Sequence, residues 1–253
     1  MWMLLHGFTG SATSWDAVLA HARLKPEPVR PALFGHGPRW QSLRVDSFED
    51  EVSRLCALAA SMRAPRLLAG YSLGARVALG MLVANPGLFQ AGVLVGVHPG
   101  LRDEGTRATR RKVDLERAAF LRTQGLHSFV ASWEDEAIFA SQRDLPDAVR
   151  ERQRQIRLGH DAEGLARALD VLGLAAMPSY EHAITELSVP VTLMAGARDR
   201  KFVNLMHDLA NRSSCVDATV IDGAGHNLLL EAPETVAAAL RDAEQKCATE
   251  ALA

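Results

Sequence analysis

A serine with a glycine two residues away on each side, Gly70-Tyr71-Ser72-Leu73-Gly74, closes an apolar run ending at Ala69 and opens an amphipathic stretch beginning near Leu73. No other feature constrains the fold as strongly. A strand-to-helix turn this tight puts the serine in a strained backbone and leaves room only for small residues at the two outer positions. Its hydroxyl then stands above the end of a sheet at a helix N-terminus, where negative charge is stabilised. The pentapeptide alone also fits an ordinary turn, because glycine and serine are common in turns.

The surrounding pattern supplies a sheet. Trp2 to Leu5, Val29 to Phe34, Arg66 to Ala69, Ala91 to Val97, Val191 to Ala195 and Ala218 to Ile221 read as buried strands. Between them, Ser47 to Met62, Leu73 to Ala84 and Thr235 to Ala243 have helical periodicity. Such alternation predicts an α/β fold, a mainly parallel sheet with helices on both faces. The rhythm breaks between about Leu101 and Leu187, where only helical patterns occur: Arg107 to Thr123, Ser128 to Phe139, Pro146 to Arg157 and Ala162 to Leu172. An all-helical insertion between two strands predicts a lid over one end of the sheet. The domain reading is a core of residues 1–100 and 188–253, with the lid at 101–187. The last residues, from about Lys246, are expected to fray.

Partners for Ser72 lie at two further strand ends. Asp199 follows the strand Val191 to Ala195 within Ala195-Gly196-Ala197-Arg198-Asp199, and His226 follows the strand ending at Ile221 within Gly223-Ala224-Gly225-His226-Asn227. The order Ser, Asp, His, each after a strand, is the one a catalytic triad on such a sheet requires. The imidazole takes the serine proton, and the carboxylate sets the tautomer and stabilises the imidazolium. After the first strand comes His6-Gly7-Phe8-Thr9-Gly10; the resemblance to folds that carry a nucleophile elbow implies the backbone N–H groups of Phe8 and Leu73 as the oxyanion donors. His6, at a strand end beside a tight turn, reads as structural.

Charge narrows the partners. With 28 Lys and Arg against 30 Asp and Glu, the net charge of −2 gives no electrostatic reason to expect nucleic acid. Hydrophobic residues at 48% allow a substantial core. Cys56, Cys215 and Cys247 lie far apart, as expected of reduced thiols in a cytoplasmic protein. The apolar start is too short for a signal-peptide core, and no stretch is long enough to cross a bilayer. No metal-ligand spacing or nucleotide-binding loop is present, so neither metal nor cofactor is expected. Arg76 sits one helical turn after Ser72 on the same face, where a guanidinium suits an anionic substrate or pairs with a nearby carboxylate. Arg107, Arg110 and Arg111 share one face of the first lid helix, with Asp114 placed to neutralise Arg110. Trp133 and Phe139 read equally as lid core or as substrate walls.

Together these motifs resemble the α/β-hydrolase superfamily over essentially the whole chain. The resemblance implies that fold, a mainly parallel sheet flanked by helices, with an all-helical lid inserted after the sixth strand. One departure is the missing N-terminal β-hairpin, through a late start or a true absence, which leaves an edge strand less protected. More specifically, the sequence resembles the 2-succinyl-6-hydroxy-2,4-cyclohexadiene-1-carboxylate synthases of menaquinone biosynthesis. The matching segments are His6 to Gly10, Gly70 to Arg76, His98-Pro99-Gly100-Leu101, Trp133 with Ile138-Phe139-Ala140-Ser141, Gly196-Ala197-Arg198-Asp199-Arg200-Lys201-Phe202, and Gly225-His226-Asn227.

That resemblance implies a lyase that eliminates pyruvate from an enolpyruvyl cyclohexene bearing several carboxylates. Ser72 with His226 would act as base. Arg76 and Arg110 match carboxylate-binding positions, Arg157 matches more weakly, and Tyr71, Trp133 and Phe139 match pocket-lining ones. The loop Ala32-Leu33-Phe34-Gly35-His36-Gly37 departs from the family, lacking an acid and a proline. Two rival readings share the same residues. One is a carboxylesterase or C–C-bond hydrolase for a small acidic substrate, which forms an acyl intermediate or activates water. The other is a non-catalytic receptor that binds a small ligand under the lid.

Overall fold

A computed structural model describes residues 1–250. Five strands form one sheet: β1 (Trp2–Leu5), β2 (Leu67–Tyr71), β3 (Ala91–Val95), β4 (Val191–Gly196) and β5 (Val216–Ile221). All are parallel and lie side by side in chain order. Strands in such a sheet are covered on both faces, which is why β2 and β3 are unbroken apolar runs with every residue buried.

One face carries α2 (Phe48–Ala60), α3 (Leu73–Ala84) and α7 (Arg200–Ala210), whose apolar sides join Leu5, Leu68 and Leu94 in the larger core. The other carries α1 (Asp16–Ala22) and α9 (Pro233–Glu250), packed on Trp2, Leu4, Ala69, Val93 and Val95. Between β5 and α9 lies the short α8 (Leu228–Glu231). Ser47 begins α2 with a capping box closed by Asp50.

The helical insertion leaves the sheet after β3 and returns at β4. It holds α4 (Glu104–Glu134), a 3₁₀ segment at Ala137–Asp144, α5 (Asp147–Leu158) and α6 (Ala162–Leu172). Among the described residues it follows the third strand of the sheet and not the sixth, the segment at Val29 forming only an isolated bridge. The insertion has a small core of its own, in which Ala118, Leu121 and Phe129 of α4 meet Leu165, Ala166 and Leu169 of α6.

Three local expectations change. The strand expected at Val29–Phe34 is a single bridge between Val29 and Met3, since Pro31 has no N–H to donate to a ladder. That bridge donates and accepts one hydrogen bond each with Trp2 and Leu4, so the outer edge of β1 is partly covered. The helix expected over Ser128–Phe139 is the tail of α4, which Gly125 interrupts with a backbone (φ 76°, ψ 173°) that only glycine adopts readily. It stops at Glu134, where Glu134, Asp135 and Glu136 set three negative charges against the negative end of the helix dipole. At the C-terminus α9 runs on to Glu250, past the expected fraying point at Lys246; the rest of that tail lies outside the described residues. Among the described residues no helix is long and apolar enough to cross a membrane.

Candidate active site

Ser72 sits between β2 and α3 at φ 52°, ψ −107°, a left-handed conformation that non-glycine residues seldom adopt. The flanking glycines make the turn possible. A Cβ on Gly70 would come within 2.4 Å of the Gly74 carbonyl oxygen, and one on Gly74 within 2.4 Å of the Leu5 oxygen. The serine N–H is spent on the Val95 carbonyl at 2.8 Å, which ties the turn to β3.

The loops after β4 and β5 bring the other two groups to the same end of the sheet. His226 Nε2 lies 3.0 Å from Ser72 Oγ, and His226 Nδ1 lies 2.6 Å from Asp199 Oδ2. A carboxylate facing Nδ1 accepts its proton, so Nε2 is the bare nitrogen and accepts from the serine hydroxyl. The imidazole is almost fully buried. Phe202 lies against it, ring centres 4.6 Å apart, and Gly96 leaves the space its ring edge needs, since a Cβ there would meet Cε1 at 2.8 Å. Glu231 clamps the loop from below. Its two carboxylate oxygens accept the N–H groups of Gly225 and Asn227, at 2.6 and 3.1 Å, one on each side of His226.

The three side chains open onto a cavity of about 500 Å³ between the sheet end and the insertion. Phe8 and Leu73 line it beside Ser72. Leu73 is the first residue of α3, whose N–H has no partner inside the helix, and the Phe8 N–H meets no acceptor among the described residues.

Arg76 lies in the same wall. One of its nitrogens donates to the Leu172 carbonyl at 2.9 Å and approaches Met177 Sδ at 3.6 Å. No carboxylate pairs with it among the described residues. Burial first, and then the charge of Arg110, push its guanidinium down to about 9, so it still carries its charge in neutral solution. Arg110 also lines the cavity, although its Nε is paired with Asp114 at 2.8 Å. Trp133 and Phe139 form part of the wall as well.

Not every expected residue reaches the cavity. Arg107 is spent on the Ala175, Met177 and Leu101 carbonyls at the foot of the insertion, and Arg111 borders a different surface hollow. Arg157 is buried behind Phe139, 5.2 Å from its ring centre, with Glu134 as its ion-pair partner at 2.9 Å. Tyr71 lies beneath His226 and borders the same small void as Arg157. Conversely, Arg117, His98, Lys201 and Phe202 line the cavity without having been singled out as site residues. Arg117 stands seven positions after Arg110, two helical turns along the same face, and that spacing was the available signal.

The model of the α/β hydrolase family matches residues 3–239. The chain belongs to the α/β hydrolase family. Among relatives of this chain is the 2-succinyl-6-hydroxy-2,4-cyclohexadiene-1-carboxylate synthase of Escherichia coli O1:K1, 33% identical over 245 residues, 94% of this chain and 92% of that one. Among solved structures, MenH from S. aureus superimposes with a TM-score of 0.87 at 25% identity, covering 97% of this chain and 93% of that one. A thermophilic esterase from Thermogutta terrifontis, solved with malate bound, superimposes with a TM-score of 0.80 at 25% identity, covering 97% and 89%.

Proposed function

We propose that this chain is a carbon–oxygen lyase that eliminates pyruvate from 2-succinyl-5-enolpyruvyl-6-hydroxy-3-cyclohexene-1-carboxylate to give 2-succinyl-6-hydroxy-2,4-cyclohexadiene-1-carboxylate. The observation that carries it is Arg76, a cation with no carboxylate partner among the described residues, in the wall of the cavity and one helical turn from the Ser72–His226–Asp199 row. A neutral ester gives no reason to keep an unpaired guanidinium there. A substrate with three carboxylates does. The synthase names of relatives that match nearly end to end support the same reading.

The two compound names define the electron flow. The proton on ring carbon 2, next to the succinyl ketone, leaves; the 3,4 double bond shifts to give the 2,4-diene; the bond from carbon 5 to the enolpyruvyl oxygen breaks. On this account Ser72, activated by His226, is the base, and Asp199 stabilises the imidazolium that results. Charge developing on the ketone oxygen is met by the N–H groups of Phe8 and Leu73. Arg76 and Arg110 hold carboxylates, with Trp133 and Phe139 enclosing the ring. Arg157 and Tyr71 support the wall from behind: Arg157 through Phe139, Tyr71 through His226. Residues 101–187 act as the lid, and the substrate is a soluble polycarboxylate met in the cytoplasm.

Pyruvate release from the enolpyruvyl precursor, measured with a coupled assay in wild type and Ser72→Ala, tests this. Rapid release that collapses in the variant is expected. No release by folded wild type from fresh substrate would sink the assignment. The likeness to a malate-bound esterase favours one second reading, a Ser-His-Asp carboxylesterase for small acidic esters. That reading predicts a product burst from an activated ester, whereas the lyase predicts little ester turnover.

A further inference from the structure

Thr9 is a buried β-branched residue at φ 61°, a backbone conformation that such side chains rarely adopt. It directly follows Phe8 in the loop after β1, so anchoring the Thr9 N–H fixes the Phe8–Thr9 peptide and restricts how far the neighbouring Phe8 N–H can turn. Two imidazoles hold it. The Thr9 N–H donates to His36 Nε2 at 3.2 Å, and the Thr9 carbonyl lies 3.2 Å from His160 Nε2.

Each ring is anchored through its other nitrogen. His36 Nδ1 lies 3.0 Å from the Phe34 carbonyl, and His160 Nδ1 accepts the Gly37 N–H at 3.1 Å. A nitrogen facing a carbonyl must donate and one facing an N–H must accept, so both rings are neutral with one tautomer each. Burial, the first cause for both, holds His36 and His160 below the usual histidine range and favours that state. His6, also buried, packs edge-on against His36, which packs edge-on against His160.

His36 belongs to the core, but His160 comes from the turn between α5 and α6 in the insertion. That turn is seated firmly. The Trp40 indole donates to Asp161 at 3.2 Å, Asp161 caps α6 through the Gly164 N–H, and Gly35 lies so close to α6 that a Cβ there would sit 2.2 Å from the Gly164 oxygen.

We propose that His160 is a positioning residue for the oxyanion loop, a group of the insertion that holds Thr9, and through it the Phe8 N–H, in working orientation. The inference rests on the reading of Phe8 as an oxyanion donor. It makes the donor pair depend on the insertion being seated, so that the loop is in register only when the cavity is covered.

Three variants separate this from a merely structural fastening. In His160→Gln the side-chain NH₂ reaches the Nε2 position and can still donate to the Thr9 carbonyl. In His160→Asn the carboxamide matches Nδ1, keeps the Gly37 contact and falls short of Thr9. His160→Ala loses both. The expected result is a kcat for pyruvate release lowered about 10- to 100-fold in Asn and Ala, as for a misplaced catalytic donor. KM should be nearly unchanged in both, and Gln should recover most of the rate. Equal loss in all three, or loss carried by KM, overturns the proposal. Amide hydrogen exchange in the peptide covering residues 6–11 provides a readout that needs no substrate. It should quicken in Asn and Ala but not in Gln, while α3 stays protected. Unchanged exchange in that peptide overturns the clamp whatever the enzyme acts on, and wild type that releases no pyruvate while the exchange pattern holds removes the assigned reaction and leaves the clamp.

Discussion

At the scale of single residues, the candidate site separates into groups set by local sequence and groups set by long-range pairing. Ser72, Asp199 and His226 were legible because each ends a strand in a glycine-containing turn, and a turn is a local object. Arg76 was legible from its spacing of four after Ser72. Arg157 was not, because the carboxylate that claims it, Glu134, lies on another helix, and no spacing rule predicts an ion pair between helices. Gly96 and Glu231 were missed for the same reason: their roles are to leave room for, and to tether, a histidine from a distant loop. Truncating Arg76 to Ala should lower kcat/KM by roughly 10- to 100-fold, the usual cost of losing a hydrogen bond to a charged group. Steady-state kinetics on the precursor check this, and an unchanged kcat/KM would remove Arg76 from the anion site. Glu231→Ala should lower kcat by about tenfold or more by loosening the His226 loop, with the far-ultraviolet spectrum unaltered; wild-type kcat in that variant would show the loop holds itself.

At the scale of elements, agreement is best where periodicity and punctuation coincide. Helix α3 spans Leu73–Ala84, the stretch its apolar spacing marks out, because the serine turn fixes its start and Pro86 follows its end. The bridge at Val29 and the early stop of α4 are failures of apolar pattern against backbone chemistry, one from a missing donor and one from clustered charge. How the insertion is seated could not be read from sequence, since it depends on Gly35 and Gly164 lying in contact across the two units. Gly35 needs both its open φ of 79° and the absence of a Cβ. Gly35→Ala should therefore destabilise the protein by roughly 2 kcal/mol or more. Thermal unfolding checks this, and a Tm equal to wild type would mean that the two backbones can part at little cost.

At the scale of the whole molecule, the buried histidines make stability depend on acid. Burial is the main cause that lowers His6 to about 4 and His98 to about 3, and it also lowers His36 and His160. A folded-state value below the unfolded one means the unfolded chain binds more protons between the two. Stability from these groups is therefore complete above about pH 6.5 and is lost as pH falls toward 4, on the order of 3 kcal/mol for His6 alone. Tm should hold above about pH 6.5 and drop progressively from there to pH 5, and a flat profile over that fall would contradict the neutral, backbone-bonded rings.

On the proposed reading Ser72, His226 and Asp199 together work as a base and not as a nucleophile. The most direct test is to quench the wild-type reaction with the enolpyruvyl precursor at early times, measuring pyruvate and the intact mass of the protein in the same samples. Many pyruvates should be released per enzyme while the protein mass stays that of the unmodified chain. An adduct on Ser72 that accumulates ahead of pyruvate would contradict that reading and return the site to acyl-transfer chemistry.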